Sequence, residues 1–436
     1  MTTMTDADWF DHLAACRDGV EPERLLARAT PTVRGILARR LDGAEISRDE
    51  GEILFGSDGD DLKAVVAAAD RIRRERVGDT VSFVVTRNIN FTNVCYMGCR
   101  FCGFAKRREE AGAELLSMDE IAHRAEVAKA RGATEVCIQG GLHPDLSADH
   151  YLDILRAIRT RVPDMHVHAF SPFEIWYGAK KRRQAPADYL RELKAAGLGS
   201  IPGTAAEILD TEVRRQLTRN KLSAEAWVEI VRAAHGVGLR STSTMMYGHV
   251  DGPRHWAAHL DLLRAIQKQT GGFTEFVPLG FVHNEAPLYM EREIPGVRAG
   301  ATLVEHLKVH AIARLMLAGW IDNIQVSWVK LGPQAGQALL AAGANDFGGT
   351  LMDESISRSA GASFGEEITA AEMVRIIRDA GRQPERRSTL YVPLEHYADH
   401  DPVALPPLKA RAYDPVQFLQ RPARPAVSAG KESVHA

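Results

Sequence analysis

Residues 81–105 read VSFVVTRNINFTNVCYMGCRFCGFA, a short β-rich run followed at once by a loop with three cysteines. Cys95, Cys99 and Cys102 have the spacing C-x3-C-x2-C, which lets three thiolates each bind one iron of a 4Fe-4S cubane. The loop that follows a strand is where βα-barrel enzymes carry their catalytic groups. This stretch therefore predicts both a fold and a metal centre.

Seven further β-rich runs follow, and each leaves enough chain before the next for a crossover helix. They begin at residues 134, 166, 199, 240, 274, 323 and 344. Strands and helices that alternate at this spacing predict a parallel sheet, and eight units favour an α/β fold with a closed (β/α)8 barrel of the TIM type. A capping-box pattern at Ser117 and Glu120 predicts a helix that continues to about Ala130.

Three regions are expected along the chain. Residues 1–78 contain Ala- and Leu-rich stretches whose apolar positions recur every three or four residues, which predicts an N-terminal helical cap. Residues 79–390 hold the barrel. Residues 391–436 form a tail that is rich in Pro, Ala and charge from about residue 400, so we expect it to be partly disordered or wrapped on the surface.

Composition limits the partners and the compartment. The 436 residues carry a formal net charge of -3, which gives no overall field for nucleic acid or an anionic membrane and favours small-molecule partners. No secretory signal or long apolar run is readable, and five cysteines indicate a reducing compartment, so we expect a cytoplasmic protein. Cys16 and Cys137 stand apart from the triad and read as small buried hydrophobes.

The three-cysteine set leaves one iron of a cubane without a protein ligand. S-adenosylmethionine can chelate that iron through its amino and carboxylate groups, which brings its sulfonium next to a low-potential cluster. Two alternatives are a structural zinc site and an electron-transfer cluster. Zinc normally takes four ligands, and the nearest histidine, His123, lies inside a predicted helix. An electron-transfer cluster in which the protein binds all four irons needs a fourth cysteine, and neither Cys16 nor Cys137 has ligand spacing.

The cysteine loop at the end of a first barrel strand resembles the radical S-adenosylmethionine superfamily. The resemblance implies that Phe101 lies near the adenine of the cofactor, although packing of the loop is the alternative. Gln139, Gly140 and Gly141 end the second β-run, where glycines would let the backbone approach the methionine amino group; read alone, the pair is a turn.

Further candidates for cofactor binding follow the third and fourth β-runs. Glu174 is placed for the site, with a solvated loop carboxylate as the alternative. Gly203, Thr204 and Glu207 could meet the ribose or the substrate; alternatively, Thr204 and Glu207 are the N-cap and the capping-box acid of a helix. His166 and His168 alternate on a strand, so one of them could line the site or be a hydrogen-bonded core histidine.

A longer set of matches narrows the resemblance. Stretches such as SIPGTAAEIL, TSTMMYGHVD and SISRSAGA, within residues 80–390, resemble the tyrosine-using subunits of deazaflavin (FO) synthases. The resemblance implies a transferase for deazaflavin coenzyme F(420) biosynthesis, whose substrates are L-tyrosine and 5-amino-6-(D-ribitylamino)uracil. The 5′-deoxyadenosyl radical would take hydrogen from the tyrosine amino group, the Cα–Cβ bond would break, and the 4-hydroxybenzyl group would add to the uracil with release of 2-iminoacetate.

The resemblance also implies partners and leaves neighbouring functions open. Fused FO synthases carry two cysteine triads and this chain carries one, which implies a separate cyclising subunit, together with an electron donor. The alternatives are the two futalosine-type menaquinone enzymes, the cyclising subunit itself, and a non-catalytic iron-sulfur protein. No catalytic residue is assigned, and the polar residues that could bind substrate are Asn88, Asn90, His168, Tyr247 and His283. Tyr247, His249 and Asp251 share a strand end and its turn.

Overall fold

The computed structural model describes residues 4–15, 22–218 and 220–409. Its strands are Thr80–Val84 (β1), Thr86–Asn90 (β2), Glu135–Gln139 (β3), His166–Ala169 (β4), Ser200–Ile201 (β5), Arg240–Tyr247 (β6), Phe273–Gly280 (β7), Asp346–Gly349 (β8), Gln383–Arg387 (β9) and Pro393–His396 (β10).

Helices surround these strands and precede them. They are Asp6–Ala15 (α1), Pro22–Leu26 (α2), Pro31–Leu41 (α3), Arg48–Phe55 (α4), Gly59–Val77 (α5), Met118–Ala130 (α6), Asp149–Arg161 (α7), Pro172–Arg182 (α8), Pro186–Ala196 (α9), Thr211–Leu217 (α10), Ala224–Gly236 (α11), Pro253–Thr270 (α12), Pro287–Met290 (α13), Leu303–Leu317 (α14), Trp328–Leu331 (α15), Pro333–Leu340 (α16), Ile356–Ser359 (α17) and Ala370–Asp379 (α18). None of the described helices is long and apolar enough to cross a membrane.

The parallel strands close into a barrel. One sheet has the order β2-β3-β4-β5-β6-β7, and a second has the order β10-β9-β1-β8. Parallel bridges from Phe276 to Ile324 and from Gln325 to Asp346 connect β7 to β8. On the other side, β8 pairs with β1, which continues through Val85 into β2. The ring has eight strand positions, so the expected (β/α)8 barrel is confirmed.

Two predicted strands differ in detail from the observed ones. The first run divides at Val85, because β1 pairs with β8 and β9 while β2 pairs with β3. Residues 323–328 form only isolated bridges, at Ile324 and Gln325, so the prediction of a strand there was wrong. There the Asn345 side chain accepts the Ile324 N–H at 2.9 Å in place of a strand partner, and the chain enters α15 at Trp328.

A C-terminal hairpin, which the sequence reading placed partly in the tail, extends the second sheet. Strand β9 pairs in parallel with β1, and β10 pairs antiparallel with β9. The boundary expected at residue 390 falls in the turn of this hairpin. Residues 401–409 have no helix or strand and lie against the barrel, where Leu408 N–H donates to Glu367 at 2.6 Å. Residues 410–436, like Cys16, lie outside the described part.

The helices before the barrel pack on its outer layer. Helix α5 packs on α14, and α4 packs on α12. Helix α4 also packs on α14 at Gly51, where a Cβ would lie 2.7 Å from the sulfur of Met316. Arg264 donates to the carbonyl of Ile46 at 2.7 Å, which ties α12 to the loop before α4. These contacts bury the apolar stripe that the helical period indicates.

Candidate active site

A cavity of about 430 Å³ opens at the carboxyl ends of the barrel strands and continues between them. Cys95, Cys99 and Cys102 line it together with residues from every strand of the ring except β5. Parallel strands end at the same edge of a barrel, so this edge brings together side chains that are distant in sequence. The cavity is the candidate active site.

Close backbone packing holds the cysteine loop against β3. Gly141 N–H donates to the Thr92 carbonyl at 2.8 Å, and Cys95 N–H donates to Lys106 at 3.0 Å. A Cβ at Gly141 would lie 2.2 Å from the carbonyl oxygen of Val94 and 3.0 Å from the Cβ of Cys95. Only glycine permits this approach, so the predicted strand-end glycine supports the metal-binding loop directly.

The donor set fits a cubane with three protein ligands. Burial raises the pKa of Cys99 to about 11 and also raises that of Cys102, although N–H groups of Phe104 and Ala105 donate to Cys102 and oppose the rise. Thiols in such surroundings become thiolates when iron binds them. Three thiols on one loop, all lining the cavity, suit a group in which each cysteine binds a different iron.

All four residues predicted around the methionine and adenine line the cavity beside the triad. Phe101 lies under the ammonium group of Lys221, 4.6 Å from its ring centroid. Gln139 accepts a hydrogen bond from the Thr204 hydroxyl at 2.8 Å, which links the ends of β3 and β5. Gly140 packs on the Phe91 ring, 2.6 Å from the position of a Cβ. Gly141 lines the cavity and packs against the cysteine loop, as described above.

Glu174 is buried in the cavity wall, so the solvated alternative is wrong. It completes a capping box at the start of α8 with Ser171, which sequence reading missed. Its other oxygen accepts the Gly140 N–H at 3.0 Å. Burial raises its pKa to about 7, and the hydrogen bonds from Ser171 and Gly140 oppose that rise. A carboxyl group thus fixes the orientation of the strand-end peptide at Gly140.

The loop after β5 is not the start of a helix, so the capping-box alternative for Thr204 and Glu207 is wrong. Ala205 and Glu207 have left-handed φ values of 63° and 42°. Buried Arg214 holds this conformation by donating to the carbonyls of Ala205, Ala206 and Ile208. Gly203 is not among the residues that line the cavity; it packs on β6, where a Cβ would lie 2.4 Å from the Thr242 carbonyl oxygen.

Glu207 forms a buried ion pair with Lys221, which lies between the carboxylate and the Phe101 ring. Burial raises the pKa of Glu207, but Lys221 and Arg214 outweigh it and hold that pKa below its ordinary value. The pair places one fixed charge of each sign next to the triad. Sequence reasoning missed Lys221 because no motif connects it to Glu207.

The other polar candidates divide into two groups. Asn88 and His168 line the cavity, and both His166 and His168 contact the hydroxyl of Ser200, at 2.8 and 2.7 Å. Asn90 lies just outside the lining and donates to the Gln139 carbonyl. The remaining candidates do not belong to the described cavity lining: they are Tyr247, His249, Asp251 and His283. Tyr247 bonds His306 instead, and Asp251 accepts N–H groups of its own turn.

Further charged residues line the cavity that sequence reasoning did not single out. Lys330 and Glu354 lie on the side formed by the chain after β7 and β8. Burial lowers the pKa of Lys330 and raises that of Glu354, and each opposes the shift of the other. Glu135, Glu275 and Arg387 lie deeper. The alternation of side chains along a strand could have identified Glu135 and Glu275. They point to the same side of their strands as Gln139 and Leu279, which line the cavity.

Comparison with known proteins agrees with this geometry. Residues 89–263 match the radical SAM superfamily, and residues 270–399 match the CofH/MqnC C-terminal region. The chain is 51% identical over 350 residues to the 5-amino-6-(D-ribitylamino)uracil--L-tyrosine 4-hydroxyphenyl transferase of Methanopyrus kandleri, which covers 80% of this chain and 94% of the relative. It is 54% identical over 370 residues to the FO synthase of Mycobacterium leprae, covering 85% of this chain and 42% of the relative.

Solved structures show the same architecture at low identity. The FeFe-hydrogenase maturase HydG from Carboxydothermus hydrogenoformans superposes with a TM-score of 0.64 at 15% identity, over 88% of this chain and 86% of that one. Methylornithine synthase superposes with a TM-score of 0.63 at 19% identity, over 80% and 97%. These similarities concern the fold alone.

The barrel and its three-thiol loop define an enzyme of the radical type, whose family implies a 4Fe-4S cluster and S-adenosylmethionine. The chain belongs to the radical SAM superfamily, in the family that includes the Methanopyrus transferase and the corresponding part of FO synthases. It spans about two fifths of the length of the FO synthases that it matches.

Proposed function

We propose that this protein transfers the 4-hydroxybenzyl group of L-tyrosine to 5-amino-6-(D-ribitylamino)uracil, with release of 2-iminoacetate, in deazaflavin biosynthesis. The observation that carries the proposal is a single cavity in which the cysteine triad is continuous with a polar barrel interior. The 51% identity to a relative with this transferase name, over nearly all of that relative, supports the choice of substrates.

The residues around the triad would hold the cofactors. Cys95, Cys99 and Cys102 would bind the cluster, and when bound the cluster and S-adenosylmethionine supply the 5′-deoxyadenosyl radical. We assign to cofactor binding the strand-end residues Phe101, Gln139, Gly140, Thr204 and Glu207. Lys221 lies beside Glu207 and Phe101, and its ion pair with Glu207 would hold that carboxylate in position for the cofactor. Glu174 acts through Gly140, whose N–H it accepts, and Gly141 and Gly203 provide the close packing of backbone.

The barrel interior would align the two substrates and keep water away from them. Radical transfer needs reacting atoms held within about 3.5 Å of each other. The cavity volume of about 430 Å³ suits small molecules, and polar side chains such as Asn88 and His168 lie within it. The oxygen of the Asn88 side chain is buried without a hydrogen-bond partner among the described residues, which suits a ligand that donates.

An anaerobic product assay tests the proposal. Reconstituted, reduced enzyme receives S-adenosylmethionine, L-tyrosine and the ribitylaminouracil, and mass spectrometry follows 5′-deoxyadenosine and the 4-hydroxybenzyl adduct. We expect both products to form together, and the adduct to require both substrates. Turnover of a futalosine precursor without any turnover of tyrosine would overturn the proposal in favour of a menaquinone-type reaction.

Two cysteine variants check the cluster assignment. Cys99→Ala should lose cluster absorption and 5′-deoxyadenosine formation while the barrel stays folded. Cys137→Ala is the matched control for iron content: Cys137 also lines the cavity, yet it lies outside the triad, and burial raises its pKa to about 12. Equal loss of iron in both variants would contradict the assignment of the triad.

Two partners follow from the proposed reaction. The product needs a second radical step to close the deazaflavin ring. We propose that a separate cyclising FO synthase subunit carries out that step. An electron donor must reduce the cluster before S-adenosylmethionine can be cleaved.

A further inference from the structure

The deep end of the cavity carries charged and polar groups that the cofactors do not need. We define the polar floor as Glu135, His168, Thr242, Glu275 and Arg387, all of which line the cavity. Glu135 begins β3, and Gln139 ends the same strand beside the cysteine loop. Four residues of strand span about 13 Å, so the floor lies well below the cofactor end of the barrel.

This composition is unusual for the inside of a closed barrel. Barrel interiors are normally filled by branched apolar side chains in layers, because charges in a dry core are costly. Here the strand register sets Thr86 beside Glu135, and sets Cys137 between Asn88 on one side and His168 on the other. The Thr86 side chain is 2% exposed, lines the cavity, and its hydroxyl makes no hydrogen bond among the described residues. A buried hydroxyl that lacks a partner in such a place indicates a polar ligand.

The cation of the floor is already satisfied. Arg387 comes from β9, outside the barrel, and its guanidinium binds Asp346 through two contacts of 2.5 and 3.0 Å. It also lies 3.6 Å from Glu275 and 3.8 Å from the centre of the Tyr391 ring. Arg387 therefore closes the floor as a structural group and has little capacity left to bind an anionic ligand.

The acceptors of the floor, in contrast, retain free capacity. A carboxylate offers about four lone-pair sites, and the hydroxyl of Thr389, which also lines the cavity, is buried without a hydrogen-bond partner among the described residues. Glu275 accepts from the Tyr391 hydroxyl at 2.6 Å. His168 contacts the Ser200 hydroxyl through Nδ1 at 2.7 Å, and within the described ranges its Nε2 makes no hydrogen bond, so this nitrogen can donate to a ligand or accept from it, according to the tautomer. Several polar groups at the same depth of the barrel can each bind one hydroxyl of a polyol chain. A phenol has one donor on an apolar ring and can satisfy only one of them.

We propose that the polar floor binds the hydroxyl groups of the ribityl chain, with Glu135 and Glu275 as the specificity-determining acceptors. This inference rests on the proposed function and refines it. It places the pyrimidine nearer the cofactor end and leaves tyrosine in the upper part of the cavity. A neutral polyol is the ligand class, because the only floor cation is paired with Asp346.

Substrate analogues test the floor without altering the protein. The wild-type holoenzyme is compared on the ribitylaminouracil and on 5-amino-6-(methylamino)uracil, which lacks the hydroxyl chain. We expect kcat/KM to be at least about 100-fold higher for the ribityl compound, because unpaired buried acceptors reject a ligand without donors. Calorimetry measures the Kd of both uracils for the loaded enzyme. Equal Kd values, together with normal 4-hydroxybenzyl transfer, would overturn the floor assignment and leave the transferase function standing.

Conservative variants locate the contacts. Glu135→Gln and Glu275→Gln should each lower the preference for the ribityl compound about tenfold and raise its KM, with little change in the KM of tyrosine. Glu385→Gln is the matched control, since Glu385 lies on the same hairpin as Arg387 but pairs with His396 outside the cavity. An effect on tyrosine KM alone would mean that the floor holds the phenol, and the assignment would be wrong. If the wild type binds neither uracil, the floor assignment and the proposed function both fail.

Discussion

Substitution of Gly141 by alanine should displace the cysteine loop without unfolding the barrel. The added Cβ would lie 2.7 Å from the carbonyl carbon of Val94, about 1 Å inside the optimal separation of two carbon atoms. The two nearest atoms are the carbonyl oxygen and carbon of Val94. They belong to the backbone and cannot rotate away, so the loop itself has to move. Gly141 does not have a positive φ, so the effect is steric and not conformational.

The magnitude follows from that displacement. Overpacking of this size costs about 1–3 kcal/mol of stability, which a barrel with a large core tolerates. A shift of about 1 Å at a catalytic group costs about 100-fold in rate. We therefore expect Gly141→Ala to stay folded, to bind less iron on reconstitution, and to form 5′-deoxyadenosine about 100-fold more slowly.

The assay combines iron content, cluster absorption, 5′-deoxyadenosine formation and urea unfolding. Gly236→Ala is the matched control, because Gly236 ends helix α11 and a Cβ there has no neighbour within 4 Å. That control should be neutral or more stable by up to about 1 kcal/mol. Full iron content and a wild-type rate in Gly141→Ala would refute the argument that the strand-end glycine supports the loop.

Three more predictions concern residues around the cofactor end. Lys221→Met leaves the Glu207 carboxylate buried without its cation, so urea unfolding should show a loss of about 3–5 kcal/mol, and Glu207→Gln added to it should restore part of that loss. Glu174 has a folded pKa of about 7 against an ordinary 4.5, so its contribution of about 3 kcal/mol is present below pH 4.5 and lost as the pH rises through 7. The free energy of unfolding should therefore fall less between pH 5 and pH 8 in Glu174→Gln, and an unchanged fall would contradict the buried-acid assignment. Thr204→Val removes the 2.8 Å bond to Gln139 and should weaken S-adenosylmethionine binding about tenfold by calorimetry, with no change expected if Gln139 plays no part.

Local patterns predicted much of the site. The cysteine triad, the glycines after Gln139 and the alternation of strands and helices are short-range features, and the structure brings all of them to one edge of the barrel. The capping-box reading of Thr204 and Glu207 failed because the same residue spacing occurs in a loop whose carbonyls bind Arg214. That contact decides the backbone conformation, and it cannot be read from the motif itself.

Other parts of the site depend on contacts that span the chain. Lys221 reaches Glu207 across a loop with no recognisable motif. Arg387 reaches Asp346 from a hairpin whose sequence, QPERRSTLYVP, has no apolar period that would mark a strand. The pairing of β9 with β1 supplies the backbone hydrogen bonds that its side chains do not predict. Sequence reading therefore found the residues beside the cysteine triad and His168 of the floor, and it missed Glu135, Thr242, Glu275 and Arg387.

The polar interior indicates that the deep part of the cavity was shaped by a ligand and not by folding alone. A barrel that only had to fold would gain stability from branched apolar residues at the positions of Thr86, Glu135 and Glu275. Instead, Glu135 and Glu275 remain buried, and Arg387 has to be supplied from outside the ring to offset their charge and that of Asp346. Because burial of charge is costly, these acceptors need a use that folding does not supply, and recognition of the ribityl substrate is the use proposed above. Under the proposed function the enzyme has to distinguish two substrates inside one cavity, and a polyol-binding floor set below a cofactor-binding rim would achieve this through the strand register.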